Sequence, residues 1–281
     1  MSPLSFTPTH SLTSDAHAQA VLQRHNVHVS GTDKPALLFC NGFNCNQRVW
    51  HYLVPSLAEH YQLVLFDQMG VGAADRTAYP SARYTTLDGY VQDVVAICQA
   101  LHLRDVIIIG HSAGAIISLL AAIRAPQYFR KAVLIAASPH YLNEPDYYGG
   151  FERPDLLALL AEMNRNYQQW ADTFATMMIG QYYAPALSSE LIDCASKADP
   201  VLAKRMVEMT FLGDYRAELP KLQIPVLLLQ CAEDAAVPAE VSHYMLTHLP
   251  QATLVNLEAT GHCPHLTAPT EVLAAMQGFL Q

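Results

Sequence analysis

No stretch constrains this chain more than Gly110-His111-Ser112-Ala113-Gly114. It lies between a short apolar run at residues 106–109 and an apolar helical pattern over residues 115–124. A serine hydroxyl is a weak nucleophile at neutral pH. It needs a base that can reach its proton and backbone N–H groups that can hold the oxyanion. A strained strand-to-helix turn offers both, and glycines two residues before and after the serine let strand and helix pass closely without Cβ clashes. The pattern alone is weak evidence. Its setting, strand and then helix, is what the chemistry demands.

The neighbouring segments extend that setting into a fold. Residues 36–40, 63–66, 106–109 and 132–136 are short apolar runs of the kind buried on both faces in parallel sheets. Between them, residues 49–57 and 84–101 have helical spacing, with Val91, Val94, Val95, Cys98 and Leu101 on one side of the second. Alternating strand and helix predicts an α/β fold with a mostly parallel, doubly wound sheet. Residues 21–29 roughly alternate apolar and polar and predict an exposed antiparallel edge strand. Residues 1–19 lack periodicity and are expected to form a flexible extension.

After Ser138 the rhythm breaks. No strand is credible over residues 154–211, which predict four helices at 154–167, 168–178, 188–197 and 199–211. The last opens on Asp199-Pro200, a capping residue followed by proline at the first helical position. Strands return at 225–230 and 252–257, and a closing helix spans 270–280. The expected division is therefore a sheet-bearing core at 20–138 and 212–281, interrupted by a helical lid at 139–211. Inserted at the loop end of the strands, such a lid covers the edge where open α/β sheets bind ligands.

Composition removes several classes of function. A formal net charge of −9 over 281 residues, with no Lys/Arg run, offers no footprint for nucleic acid or anionic membranes. With 51% hydrophobic and 15% charged residues, the chain is globular rather than disordered. Its six cysteines have no C-x-x-C pair and read as reduced thiols, and the N-terminal segment lacks the features of a signal peptide. The expected location is the cytoplasm, with no metal and no cofactor.

A serine nucleophile needs a base and a group that orients it, and the chain order Ser, acid, His is one of those in which this constellation occurs. Past the strand at 225–230 come Glu233 and Asp234; past the strand at 252–257 comes Gly261-His262-Cys263-Pro264-His265. Spacing alone leaves either carboxylate and either histidine open. His111 reads as a packing residue, Cys45 and Cys263 as buried spectator thiols, and Arg48 as a surface or helix-start residue.

Several motifs carry a resemblance. The runs Asn41-Gly42-Phe43-Asn44-Cys45-Asn46-Gln47, Leu65-Phe66-Asp67, Tyr84-Thr85-Thr86-Leu87-Asp88, Tyr147-Tyr148-Gly149-Gly150-Phe151 and Gly261-His262-Cys263-Pro264-His265 resemble the α/β-hydrolases grouped with RsbQ. That bacterial stress-response regulator is related to the plant strigolactone and karrikin receptors. The resemblance implies Ser112 as nucleophile, Asp234 as acid and His262 as base. It further implies an oxyanion hole from the backbone N–H groups of Phe43 and Ala113, and a pocket lined by Phe43, Tyr141, Trp170, Phe174 and Phe211. Where that family commonly has His-Gly-Phe-Gly, this chain has Asn41-Gly42-Phe43-Asn44. Asparagine tolerates positive φ, so the loop is expected to survive. The implied activity is hydrolysis of a small, mostly apolar ester or lactone. The alternative is a small-molecule sensor with slow or incidental hydrolysis and a protein partner. A serine at the turn disfavours dehalogenation through an aspartate nucleophile.

Overall fold

A computed structural model describes residues 15–78, 82–180 and 185–281. Seven strands make one sheet: β1 (His28–Ser30), β2 (Ala36–Cys40), β3 (Gln62–Leu65), β4 (Val106–His111), β5 (Phe129–Ile135), β6 (Val226–Glu233) and β7 (Ala252–Thr260), in the order β1-β3-β2-β4-β5-β6-β7. Strands β2 to β7 pair in parallel, and β1 runs antiparallel to β3 at the edge. The chain winds outward in two directions from the β2–β4 pair. Loops leaving the carboxyl ends of these two strands therefore diverge and open a crevice between them.

Apolar composition fits the central strands to this position. All of β2 and all of β4 are buried, with Leu37, Leu38, Phe39 and Val106 to Ile109 fully out of solvent. Such strands read as uninterrupted hydrophobic runs because helices and loops cover both faces.

The helices are α1 (Ala16–Arg24), α2 (Val54–Ala58), α3 (Asp88–Ala100), α4 (Ala113–Arg124), α5 (Arg153–Arg165), α6 (Tyr167–Ile179), α7 (Pro185–Ser196), α8 (Pro200–Phe211), α9 (Ala239–His248), α10 (Pro264–Thr267) and α11 (Pro269–Leu280). Four of them, α5 to α8, come between β5 and β6. The side chain of Asp199 accepts from the N–H groups of Val201 and Leu202 at 2.9 and 3.2 Å, capping α8 where the sequence placed a cap.

The structure corrects the sequence at three places. Residues 1–14 of the expected flexible extension lie outside the described residues, but Ala16 to Gln19 begin α1, which Asp15 caps and which buries Ala18, Val21 and Leu22. The boundary at 19/20 therefore cuts a helix, and the edge strand expected at 21–29 is confined to His28–Ser30. Alanine-rich composition and burial at i, i+3 and i+4 win over the apparent alternation. The helix expected at 49–57 divides into a 3-10 turn at Gln47–Trp50 and the short α2, whose start carries Pro55. Finally, residues 139–152 are not helical: bridges pair Leu142 with Phe151 and Glu144 with Tyr147.

Close approach at the serine turn explains its glycines. A Cβ on Gly114 would run into the carbonyl oxygens of Cys40 and Asn41, and one on Gly110 would meet the Gly114 carbonyl and the Ala115 Cα. These obstacles are backbone, which cannot rotate away. Gly114→Ala should therefore lower the unfolding free energy by about 3 kcal/mol or more. Urea denaturation checks this, and a loss within about 0.5 kcal/mol, ordinary for an innocuous surface change, would contradict the packing.

Candidate active site

Ser112 follows β4 and precedes α4 with φ 54° and ψ −121°. A non-glycine residue in such a conformation costs about 1–3 kcal/mol unless its surroundings hold it. Here its N–H donates to the Ile135 carbonyl at 2.9 Å, and its own carbonyl accepts from Ala115 at 2.9 Å. The turn lifts the side chain out at the strand's carboxyl end. Ala113 follows as the first residue of α4, where its N–H has no carbonyl four residues back within the helix. Phe43 lies in the loop leaving β2, the strand beside β4.

His262 arrives on the loop after β7. The N–H of Gly261 donates to the Glu233 carbonyl at 2.7 Å, the N–H of His262 donates to the Met178 carbonyl of α6 at 2.7 Å, and Nε2 of His111 donates to the His262 carbonyl at 2.8 Å. Three backbone contacts thus fix this loop. The His262 Nε2 stands 2.8 Å from Ser112 Oγ, and its Nδ1 stands 2.9 and 3.0 Å from the Asp234 carboxylate oxygens. An ionised carboxylate only accepts, so Nδ1 carries the proton and Nε2 is left to accept from the serine hydroxyl.

Asp234 follows β6, with its side chain entirely out of solvent. Burial opposes its ionisation, but the facing His262 and the N–H groups of Ala236 and Val237, at 2.8 and 3.0 Å, outweigh it and hold the carboxyl below its usual range. Of the pairs that spacing left open, the structure brings Asp234 and His262 to Ser112. Glu233 is exposed. His265 sits beneath the site, its ring 4.7 Å from Trp50 and 4.4 Å from His111. His111 lies between His265 and His262, and burial drives its pKa down to about 3.

A cavity of about 40 Å³ opens beside Ser112 and His262, room for a few waters. Its wall is apolar. Phe43, Phe174 and Phe211 line it, joined by Met178 from α6 and by Leu191 and Ala195 from α7. The other two expected lining residues, Trp170 and Tyr141, sit among these rings. Trp170 stacks behind Phe174 at 4.8 Å and meets Phe43 edge-on at 6.0 Å. Tyr141 packs on Phe211 at 4.5 Å, with its hydroxyl in hydrogen-bond contact with the Ser112 side chain. Ring stacking sets Trp170 one layer back, whereas the Tyr141 hydroxyl reaches Ser112 itself. Cys45 and Cys263 also line the cavity, and burial pushes both thiols up, away from the reactive thiolate. Arg48 is exposed on the 3-10 turn.

A profile of the alpha/beta hydrolase family matches residues 37–275. The chain belongs to this family. It is 37% identical over 257 residues to the karrikin insensitive 2 receptor CA of Petunia hybrida, covering 91% of this chain and 95% of the relative. It is 34% identical over 253 residues to the strigolactone esterase D14 of Arabidopsis thaliana, covering 90% and 94%. Among solved structures, a hydrolase from Oleispira antarctica superposes with a TM-score of 0.92 at 34% identity, covering 94% of this chain and 97% of that one. The relatives thus include both esterases and receptors, as the sequence motifs implied.

In this alpha/beta hydrolase, no helix among the described residues is long and apolar enough to cross a membrane, and no three His, Cys, Asp or Glu side chains among them could hold a metal ion. Sequence reading missed the Met178 carbonyl that anchors His262 and the Asn44 side chain on the cavity wall. The Met178 carbonyl carried no local signal; the asparagine at position 44 stood out as a departure from the family's glycine, but its place on the wall depends on what distant segments bring alongside.

The histidine stack makes stability depend on pH. Neither ring nitrogen of His265 has a hydrogen-bond partner among the described residues, and burial, followed by the neighbouring His111 and His262, drives its pKa well below the ordinary value. Unfolded, His111 and His265 take up protons below about pH 6.5; folded, both resist. The unfolded state then binds more protons, so stability falls as pH falls below about 6.5. His265→Phe keeps a ring against Trp50 and removes one of these protons. The variant's Tm should drop less than the wild type's between pH 7.5 and 5, and equal drops would argue against a neutral, buried His265.

Proposed function

We propose that the chain is a serine hydrolase of carboxylesterase or lactonase type, acting on a small, mostly apolar ester or lactone. The observation that carries this is Ser112 Oγ at 2.8 Å from His262 Nε2, with Asp234 on the opposite ring nitrogen. His262 takes the serine proton as Oγ attacks the substrate carbonyl. The oxyanion is held by the N–H groups of Phe43 and Ala113; the second stands at a helix N-terminus, where unpaired donors and the helix dipole favour negative charge. The departing alcohol takes the proton from His262 and leaves an acyl group on Ser112. Water then attacks with His262 again as base, and the acid is released. Asp234 keeps the proton on Nδ1 and stabilises the imidazolium formed in each half-reaction.

Helices α5 to α8 act as a lid in this proposal. Support comes from Phe174, Met178, Leu191, Ala195 and Phe211, which they contribute to the cavity wall. An apolar wall suits an apolar acyl or alkyl group. The relative from Arabidopsis thaliana, named a strigolactone esterase, is consistent with ester chemistry.

Purified protein should hydrolyse p-nitrophenyl acetate, and Ser112→Ala should lower kcat/KM by at least about a thousandfold. A fluorophosphonate should phosphonylate Ser112 with loss of fluoride, adding the mass of the phosphonyl group to the wild type and not to the variant. Wild-type rates no better than the variant's would overturn the assignment.

A second reading has a specific observation behind it, the petunia relative named a receptor. In that case the same residues bind or slowly cleave a ligand, and a protein partner reads the outcome. Rapid multiple turnover without a partner supports the esterase. Turnover slower than one per minute, together with a ligand-dependent shift in Tm, supports the sensor.

A further inference from the structure

Asn44 lies one residue past Phe43 on the loop leaving β2, lines the cavity and is only 4% exposed. Its φ of 55° is the left-handed conformation that asparagine tolerates. Its Nδ2 donates to the Tyr167 hydroxyl at 3.0 Å, and that hydroxyl donates to the Ala195 carbonyl at 2.9 Å. A phenol has one proton. Given to Ala195, it leaves the tyrosine oxygen an acceptor, so the asparagine must turn its NH2 toward Tyr167. That fixes which amide atom is left over. Oδ1 is buried and has no hydrogen-bond partner among the described residues.

A buried carbonyl without a donor is unfavourable, and such groups in folded proteins nearly always have a partner. The other polar atoms of the cavity wall are accounted for. Ser112 and His262 bond each other. The Nδ1 of His111 also lacks a partner, but a Cβ on Gly42 would lie 2.5 Å from it, so the loop backbone covers that atom. Cys45 and Cys263 are neutral thiols. Asn44 Oδ1 is therefore an unpaired acceptor on a residue of the cavity wall, held in place through α6 and α7, next to Phe43, to which the proposed mechanism assigns an oxyanion N–H.

We propose that Asn44 is a specificity-determining residue, whose Oδ1 accepts a hydrogen bond from an O–H or N–H that the substrate carries close to its reacting carbonyl. This rests on the hydrolase reading and narrows it: the preferred substrates are small esters or lactones bearing one such donor on an otherwise apolar frame. A plain hydrocarbon ester leaves Oδ1 unpaired and binds less well.

The test compares kcat/KM for p-nitrophenyl 3-hydroxybutyrate against p-nitrophenyl butyrate, and for α-hydroxy-γ-butyrolactone against γ-butyrolactone. Each rate is divided by the compound's alkaline hydrolysis rate to remove intrinsic reactivity. In at least one pair the wild type should favour the hydroxylated member by about tenfold or more, the size of one buried neutral hydrogen bond. Asn44→Gly, which accepts the same φ, should bring that ratio down by a similar factor. A wild-type ratio near one in both pairs overturns the assignment whatever the variant does, and so does a preference that Asn44→Gly retains in full. If nothing is turned over, the hydrolase reading fails separately. Calorimetry on Ser112→Ala with the two lactones then decides: tighter binding of the hydroxylated one supports Asn44, and equal binding overturns it.

Discussion

The backbone bend at Ser112 is the constraint on which the rest of the site depends. A residue with φ 54° between strand and helix is unfavourable in isolation, and it persists because the surroundings allow no alternative. The N–H of Ser112 is tied to the Ile135 carbonyl of β5. Helix α4 lies so close to the end of β2 that Gly114 has no room for a side chain. The fully buried β2 and β4 supply a rigid base against which that strain is held. From this bend follow both the outward reach of Oγ and the position of the Ala113 N–H at the start of a helix.

The partners of Ser112 come from the other half of the sheet, and pairing between β6 and β7 brings them together. The register sets Glu233 opposite Thr260, so the two strands end side by side and their loops start from the same edge. The Gly261 N–H then closes on the Glu233 carbonyl. Asp234 and His262 thus face each other as a result of strand register, not of any affinity between the isolated loops. His111, next to the serine in sequence, donates to the His262 carbonyl and ties the two halves of the site together.

Much of this was legible in the sequence, for reasons that differ between residues. Buried parallel strands need unbroken apolar runs, and a strained serine needs small neighbours, so β2, β4 and the turn announced themselves. Asp234 and His262 were narrowed to two candidates each, because polar residues past strand ends are visible while side-chain direction is not. The alternation at residues 21–29 misled, since an alanine-rich segment that packs three small or aliphatic side chains is a helix in this context. The aromatic residues were found as a group, but which rings face the cavity and which stand behind depends on stacking among residues far apart in sequence. The Asn44–Tyr167 bond spans 123 positions and left no local trace.

The Met178 carbonyl that receives the His262 N–H belongs to the same helix that sets Phe174 and Met178 into the cavity wall. With room for only a few waters beside Ser112, any larger guest must displace part of that wall. The wall and the anchor of the imidazole are thus one mechanical part. An outward swing of α6 large enough to free the Met178 carbonyl also removes one of the three contacts on the loop that aims the ring at the serine. A displacement of the wall on this side is therefore felt at the imidazole as well.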